Sequence, residues 1–235
     1  ADQTRRRPEL CRHDLDRLVS WDPRSLPSQA GRTIVVTGGS TGIGYWASEQ
    51  LAGAGARIVI AARYAPKAKE AIASIRSRVP GAEVLHVPFD LTSLDSVRQA
   101  SADIAGLGGV DVLVNNAGFG YIGAVEAFEW NLGRTTMETN FWGALRMMRA
   151  VLPSMRAQGS GTIINVTSIA GLVPSPYNAY YSAGKTALDT LTEAMAIDVE
   201  PCGIRMALVE PGFYAAAIID KSKAVKEDVA DGPYA

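Results

Sequence analysis

A tyrosine and a lysine spaced four residues apart stand out in the segment Tyr181-Ser-Ala-Gly-Lys185. Residues with this spacing share one face of an α-helix, and the surrounding pattern predicts a helix over Ala179–Glu200. A nearby ammonium group favours the phenolate form and lowers the pKa of a tyrosine from its usual value of about 10. The pair is therefore suited to exchange a proton with a substrate oxygen near neutral pH.

A serine 13 residues before this tyrosine adds a second polar group. Ser168 comes just after the predicted strand Thr162–Val166, at the carboxyl end where open α/β sheets bind ligands. Its hydroxyl could donate a hydrogen bond to the same substrate oxygen and stabilise developing negative charge. The Tyr-x-x-x-Lys spacing alone is common by chance, so the pair needs support from the rest of the sequence.

The elements that must position these residues alternate between short apolar segments and helical patterns. This alternation predicts an α/β fold, a Rossmann-like, doubly wound parallel sheet flanked by helices. The other predicted strands are Thr33–Thr37, Arg57–Ala61, Val84–Val87, Val110–Val114 and Ile204–Val209. The other predicted helices are Ile43–Ala54, Lys67–Val79, Ser93–Ile104 and Leu132–Met155.

A glycine-rich segment, Thr37-Gly-Gly-Ser-Thr-Gly-Ile-Gly44, connects the first predicted strand to the first predicted helix. Glycines allow this sharp turn and let a pyrophosphate approach the backbone, while the helix N-terminus offers N–H donors to the anion. A tight turn without a ligand is the alternative, but a dinucleotide site requires this strand and helix context. The predicted cofactor-binding residues here are Gly38, Ser40, Thr41, Gly42, Ile43 and Gly44.

The spacing Gly-x-x-x-Gly-x-Gly resembles the glycine motif of the short-chain dehydrogenase/reductase family. This resemblance extends over about three quarters of the chain, from Thr33 to Gly212. It implies catalysis by Ser168, Tyr181 and Lys185, joined by Asn140, which in the family holds a water linking the lysine to a proton relay. The alternative for Asn140 is a polar residue inside a helix without a catalytic role.

Further positions match family motifs that line the cofactor groove. Asp90 and Leu91 resemble the segment that contacts adenine, and Asn115-Asn116-Ala117-Gly118 matches the Asn-Asn-Ala-Gly motif. Pro211-Gly212 matches the motif beside the nicotinamide. The resemblance thus adds Asp90, Leu91, Asn116, Ala117, Gly118, Tyr181, Lys185, Pro211 and Gly212 to the predicted cofactor-binding residues.

Arg63 bears on which nicotinamide cofactor is used. In dinucleotide sites a carboxylate after the second strand binds the 2′-hydroxyl of NAD, whereas an arginine accommodates the 2′-phosphate of NADP. Here Ala61-Ala-Arg-Tyr64 holds no carboxylate, and Arg63 lies where NADP-preferring family members carry a basic residue. We therefore expect NADP(H) rather than NAD(H); a solvated surface charge is the alternative for Arg63.

Two departures from the family pattern support an alternative function. The stretch Phe213–Ala217 lacks the threonine that often contacts the nicotinamide, and the sequence ends 23 residues after Gly212 without a clear seventh strand. The main hypothesis is an NADP(H)-dependent oxidoreductase that interconverts a carbonyl and a secondary alcohol, on a hydrophobic substrate because loops 119–128 and 169–180 are largely apolar. The alternative is a weakly active or inactive nucleotide-binding relative, or a fragment.

Composition limits the remaining classes of function. The 235 residues fit one domain, and 23 basic against 24 acidic residues argue against a nucleic-acid partner. No apolar run reaches the roughly 20 residues of a membrane span. Two distant cysteines and two isolated histidines predict no metal site and a reducing, cytoplasmic location. We expect a polar extension over 1–31, a catalytic domain over 32–218, a charged tail over 219–235, and a homo-oligomer (dimer or tetramer).

Overall fold

The computed structural model describes residues 25–127 and 129–212. Within them, six parallel strands form one sheet in the order β3-β2-β1-β4-β5-β6. The strands are β1 (Thr33–Thr37), β2 (Arg57–Ala62), β3 (Val84–Pro88), β4 (Val112–Asn115), β5 (Gly161–Val166) and β6 (Ile204–Val209). Each boundary lies within two residues of the predicted one, so the predicted doubly wound, Rossmann-like sheet is confirmed.

Helices cover both faces of the sheet. They are α1 (Gly42–Gly53), α2 (Ala65–Arg78), α3 (Leu94–Ala105), α4 (Trp130–Met137), α5 (Ala144–Gln158), α6 (Ile169–Leu172) and α7 (Ala179–Val199). Short 3₁₀ turns occur at Val125–Ala127 and Glu200–Cys202, and a π-helical turn at Glu138–Gly143 joins α4 to α5. Within the described ranges, no helix is both long enough and apolar enough to cross a bilayer.

The central strands are apolar on both faces because helices bury both. Along β1, Ile34 and Val36 belong to the core beneath α1 and α2, whereas Val35 belongs to the core beneath α3, α5 and α7. All five residues of β1 are buried. This burial explains why the strands lack the polar alternation of a sheet with one solvated face.

The strand order reverses between β1 and β4, which pair in parallel. The connections that follow these two strands leave toward opposite faces of the sheet. Open α/β sheets bind their ligands in the crevice between such connections. The glycine-rich loop follows β1, and the Asn-Asn-Ala-Gly segment includes the end of β4. The topology therefore brings two predicted cofactor-binding segments to one edge of the sheet.

One predicted helix is confirmed but is not regular throughout. The apolar pattern predicted a single helix over Leu132–Met155, and the chain is helical without a break from Trp130 to Gln158, with the π-helical turn between α4 and α5. The four-residue helix α6 was not predicted, since one turn is too short to show a helical period. The predictions for most of the N-terminal extension, 1–24, and for the tail and the missing seventh strand, 213–235, lie outside the described residues.

Candidate active site

Lys185 is held at the carboxyl end of β5 by one backbone contact. Its side chain is buried, 4% exposed, and Nζ donates a 2.8 Å hydrogen bond to the carbonyl oxygen of Val166, the last residue of β5. Nζ also lies 5.6 Å from the centroid of the Tyr181 ring. The structure thus brings together the tyrosine and lysine of the Tyr-x-x-x-Lys spacing on one face of α7.

Burial changes the acidity of this lysine. Desolvation lowers the pKa of Lys185 from 10.5 to about 8, and the negative charge of Asp189 opposes the decrease. At neutral pH the ammonium form still predominates. A cation with little surrounding water exerts a stronger field on a neighbouring oxygen than a solvated one, because water screens it less.

Ser168 lies at the start of α6, where its side chain caps the helix. The residue is extended (φ −171°, ψ 152°) and Oγ accepts a 3.2 Å hydrogen bond from the N–H of Ala170. The neighbouring N–H of Ile169 donates to the carbonyl of Pro211 at 3.1 Å. Ser168 is buried, 9% exposed. This places the serine and the Pro211-Gly212 motif at the same edge of the sheet as Lys185.

A hydroxyl from α7 fixes the turn that carries Ser168. Thr186 Oγ1 donates a 2.6 Å hydrogen bond to the carbonyl oxygen of Gly171. A Cβ added at Gly171 would lie 2.3 Å from Asp189 Oδ2 and 3.2 Å from the carbonyl carbon of Lys185, so only glycine permits this close packing. The turn is therefore seated directly on the helix that carries Tyr181 and Lys185.

Asn140 lies within the π-helical turn rather than in regular α-helix. Its side chain is 1% exposed and makes two hydrogen bonds with the backbone of Phe119: Nδ2 donates to the carbonyl at 2.8 Å, and Oδ1 accepts from the N–H at 3.1 Å. A Cβ at Gly118 would lie 3.2 Å from Asn140 Oδ1 and 3.4 Å from Lys185 Nζ. A side chain at position 118 would therefore contact both Asn140 Oδ1 and Lys185 Nζ.

The glycine-rich loop has the shape that a dinucleotide requires. Gly38 and Gly42 have positive φ angles of 66° and 59°, a region that other residues rarely adopt. A Cβ at Gly44 would lie 2.5 Å from Asn116 Nδ2 and 2.6 Å from Gly38 O, so the loop folds tightly on the start of α1. The first-turn N–H groups of a helix have no acceptor within the helix, so the start of α1 can bind an anion.

The loop is joined to the Asn-Asn-Ala-Gly segment by hydrogen bonds. Thr37 Oγ1 accepts from the N–H groups of Asn116 and Ala117 at 3.0 and 3.1 Å, and Asn116 Nδ2 donates to Thr37 O at 3.0 Å. These bonds hold the two sides of the crevice together. The two predicted cofactor-binding segments therefore form one crevice whose residues suit a dinucleotide.

The remaining predicted cofactor residues differ in exposure. Asp90 Oδ2 lies 3.9 Å from NH1 of the exposed Arg63 side chain, beyond the end of β2. Leu91 is buried, 8% exposed, and packs so closely on Gly143 that a Cβ there would lie 2.6 Å from Leu91 Cδ2. A Cβ at Gly212 would meet nothing within 4 Å. Adenine contact by Leu91 and nicotinamide contact by Gly212 stay predictions.

One buried carboxyl beside the site was not predicted from the sequence. Asp189, one helical turn after Lys185 on α7, is 7% exposed, and neither oxygen makes a well-formed hydrogen bond with the described residues. The Thr167 hydroxyl lies near it but donates to Val209 O at 3.4 Å. The four-residue interval after Lys185 was the available signal for this residue.

The charges around Asp189 come from several elements. Burial is the largest influence and raises the pKa of its carboxyl. In decreasing order, the Thr167 side chain lowers this pKa, Glu210 raises it, Lys185 lowers it and Glu193 raises it. Asp189 is thus a destabilised carboxyl whose charged form is favoured by the predicted catalytic lysine.

A polar connection between strands was also missed. Asn115 Nδ2 donates to Asn165 Oδ1 at 2.9 Å, and Asn165 Nδ2 donates to Thr192 Oγ1 at 2.7 Å. These buried bonds link β4 to β5 and β5 to α7. They fix the position of α7 relative to the sheet edge where Lys185 lies.

The parallel sheet, the glycine-rich loop at its strand-order reversal and the buried lysine beside Tyr181 define a dinucleotide-binding protein of the Rossmann-like class. Residues 32–227 match the sequence model of the short chain dehydrogenase family. The chain belongs to this short-chain dehydrogenase/reductase family.

Two relatives illustrate the range within the family. The chain is 38% identical over 188 residues to 3-ketodihydrosphingosine reductase of Bacteroides thetaiotaomicron, a match that covers 80% of this chain and 65% of that protein. It is 32% identical to D-beta-hydroxybutyrate dehydrogenase of Rhizobium meliloti, over 81% of this chain and 74% of that protein. The chain therefore spans about two thirds to three quarters of the length of these relatives.

Solved structures agree with the fold. A short-chain dehydrogenase/reductase from Mycobacterium marinum superposes with a TM-score of 0.78 at 31% identity, covering 83% of this chain and 77% of that one. L-Sorbose reductase of Gluconobacter frateurii, complexed with NADPH, has a TM-score of 0.75 at 33% identity, covering 79% and 71%. NAD⁺-bound xylitol dehydrogenase has a TM-score of 0.74 at 31% identity, covering 78% and 71%. Structural relatives thus include proteins bound to each cofactor.

Proposed function

We propose that the chain is an NADP(H)-dependent oxidoreductase that interconverts a carbonyl group and a secondary alcohol. The observation that carries the proposal is the buried Lys185 ammonium beside the Tyr181 ring, at the sheet edge that holds Ser168 and the glycine-rich loop. A protein that only binds a nucleotide would not need a desolvated cation at this position, because burying it opposes folding.

Each side chain has one task in the proposed reaction. Tyr181 gives a proton to the substrate oxygen when a carbonyl is reduced and takes it back when an alcohol is oxidised. The Lys185 ammonium stabilises the negative charge that remains on the Tyr181 oxygen. Ser168 turns its hydroxyl from the capping contact toward the substrate oxygen and donates a hydrogen bond to it. Asn140 connects Lys185 to solvent through a bound water.

The cofactor would lie along the crevice between β1 and β4. The glycine-rich loop and the start of α1 would hold its pyrophosphate, and Pro211-Gly212 would border the nicotinamide ring. When bound, the nicotinamide supplies the hydride chemistry. The proximity of Ser168 to Pro211, through the hydrogen bond from Ile169 N to Pro211 O, supports this orientation.

The preference for NADP(H) rests on charge at the end of β2. Arg63 is exposed there, and the first turn of α2 carries no acidic residue. A guanidinium group pairs favourably with a phosphate, whereas a carboxylate at this position would repel it. A solvated, nonfunctional Arg63 would give equal affinities for NADPH and NADH.

Apolar loop residues support a hydrophobic substrate. Ile122, Leu172, Val173 and Tyr177 lie in the loops that flank the site and are 43%, 56%, 67% and 39% exposed. The similarity to a 3-ketodihydrosphingosine reductase is consistent with this surface, while another relative is a D-beta-hydroxybutyrate dehydrogenase. A panel of carbonyl compounds assayed with NADPH tests the proposal, and aliphatic long-chain ketones should react faster than short keto acids.

Assembly into a homo-oligomer is a further part of the proposal. A groove of about 820 Å³ runs along α7 and is lined by small and apolar residues that include Ala183, Ala187 and Leu191. Ile197 on the same helix is 74% exposed. An exposed apolar helix face of this kind favours subunit contact. Light scattering at micromolar concentration should give twice or four times the chain mass.

A further inference from the structure

The guanidinium of Arg63 lies on the ring of the next residue. Arg63 Cζ is 4.8 Å from the centroid of the Tyr64 ring, and Arg63 NH2 donates a 3.2 Å hydrogen bond to the Tyr64 hydroxyl oxygen. Tyr64 is 59% exposed and directly precedes α2. The tyrosine is therefore the main contact that orients the Arg63 side chain.

A carboxylate competes for the same guanidinium. Asp90 Oδ2 lies 3.9 Å from Arg63 NH1, at the outer limit of an ion pair. The other carboxylate oxygen is fixed, since Asp90 Oδ1 accepts hydrogen bonds from Thr92 N at 2.9 Å and Thr92 Oγ1 at 2.7 Å. Arg63 thus contacts Asp90 through NH1 and Tyr64 through NH2 at the same time. Closer pairing would neutralise the cation that a phosphate needs.

The Tyr64 hydroxyl retains a donor for an anion. A phenol oxygen can accept one hydrogen bond and donate another, and here the contact with Arg63 NH2 uses only the acceptor. An exposed hydroxyl beside an arginine, with no acidic residue in the adjacent first turn of α2, offers a phosphate a second, convergent donor. Hydrogen bonds in which one partner is charged are about twice as strong as neutral ones.

We propose that Tyr64 is a specificity-determining residue for the 2′-phosphate of NADP(H). Its ring supports the Arg63 guanidinium, and its hydroxyl donates to the same phosphate that Arg63 binds. This inference rests on the proposed NADP(H) preference, which it deepens by naming a second recognition group. It assigns no role to Tyr64 in proton transfer.

Dissociation constants of NADPH and NADH, measured by fluorescence titration without substrate, test the inference. We expect Tyr64→Phe to weaken NADPH binding about tenfold, the effect of losing a hydrogen bond to a charged group, and to leave NADH binding within about twofold. Tyr64→Ala should weaken NADPH binding further because the guanidinium then also loses the ring on which it lies. Lys69→Ala, which removes an exposed cation of α2, is the control for the loss of charge in Arg63→Ala.

The variant Arg63→Ala distinguishes a failure of the proposed Tyr64 role from a failure of the proposed NADP(H) preference. If wild-type chain prefers NADPH and Arg63→Ala loses the preference while both Tyr64 variants keep it, the role of Tyr64 is wrong and the proposed cofactor stands. If wild-type chain binds both nucleotides equally, both the cofactor preference and the role of Tyr64 are wrong. Competition by 2′,5′-ADP against 5′-AMP should show the same Tyr64 dependence, since these fragments differ only in the 2′-phosphate.

Discussion

Lys185 Nζ donates a 2.8 Å hydrogen bond to the carbonyl oxygen of Val166, so the buried cation of α7 is tied to the carboxyl end of β5. This bond sets the height of the ammonium group relative to the sheet. The centroid of the Tyr181 ring lies 5.6 Å from the same Nζ. The catalytic proposal depends on this position and on the charge that Lys185 carries there.

The lowered pKa of Lys185 should appear in the pH dependence of stability. Burial disfavours the charged form in the folded state, so the pKa falls from 10.5 to about 8, and the unfolded chain binds more protons between these values. Stability contributed through Lys185 therefore rises with pH across this window. We compare the free energy of unfolding of Lys185→Met with that of wild type at each pH. The difference, variant minus wild type, should decrease by about 3 kcal/mol between pH 7 and a pH above 10.

Urea unfolding of both proteins at several pH values provides this measurement. Using the difference between variant and wild type cancels the titration of all other groups that the substitution does not affect. A pH-independent difference would show that Lys185 keeps an ordinary pKa in the folded protein. Lys67→Met, which removes an exposed lysine of α2, is the control and should give no such trend.

Asp189 should keep Lys185 protonated at higher pH. Its negative charge raises the pKa of Lys185 against the larger effect of burial, so Asp189→Asn should lower that pKa below about 8. We expect the alkaline decrease of kcat for carbonyl reduction to begin at lower pH in this variant. Glu193→Gln, an exposed carboxyl on the same helix, should leave the profile in place; an equal shift in both variants would contradict a specific role.

Gly118 should tolerate a side chain poorly because it lies beside two predicted catalytic groups. A Cβ there would lie 3.2 Å from Asn140 Oδ1, closer than most real contacts, and 3.4 Å from Lys185 Nζ, at the edge of ordinary van der Waals contact. Gly118→Ala should reduce kcat about tenfold or more, since small displacements in an active site cause large losses of rate. Gly53→Ala is the control, because its nearest neighbour would be 3.9 Å away. Equal kcat for wild type and Gly118→Ala would show that the contact can relax freely.

Thr186 should act as a positioning residue for Ser168. Its hydroxyl holds the Gly171 carbonyl at 2.6 Å, and Thr186→Val leaves that carbonyl without its partner. We expect kcat to fall about tenfold, the effect of one lost hydrogen bond, with KM for the cofactor unchanged. Thr186→Ser keeps the hydroxyl and should restore the rate. A loss of stability in the valine variant without any change in kcat would indicate a purely structural role.

Strand and helix positions were largely predictable from the sequence because apolar periodicity reports burial. The proximity of Tyr181 to Lys185 followed from helical spacing, and the crevice followed from the loop after β1. The π-helical turn around Asn140 was not predictable, since a single extra residue per turn leaves the apolar pattern almost unchanged. The contacts of Arg63 with Tyr64 and Asp90 depend on side-chain rotamers and on pairing between distant segments, which no local pattern encodes.

The most direct test of the central claim compares wild type with Tyr181→Phe. The substitution removes one hydroxyl and keeps the ring that lies against Lys185. We expect NADPH oxidation by a reactive carbonyl substrate to fall at least about 100-fold, the usual contribution of general acid catalysis, while the dissociation constant of NADPH stays within about threefold and Tyr180→Phe remains active. Undiminished turnover by Tyr181→Phe would contradict Tyr181 as the proton donor and, with it, the proposed mechanism.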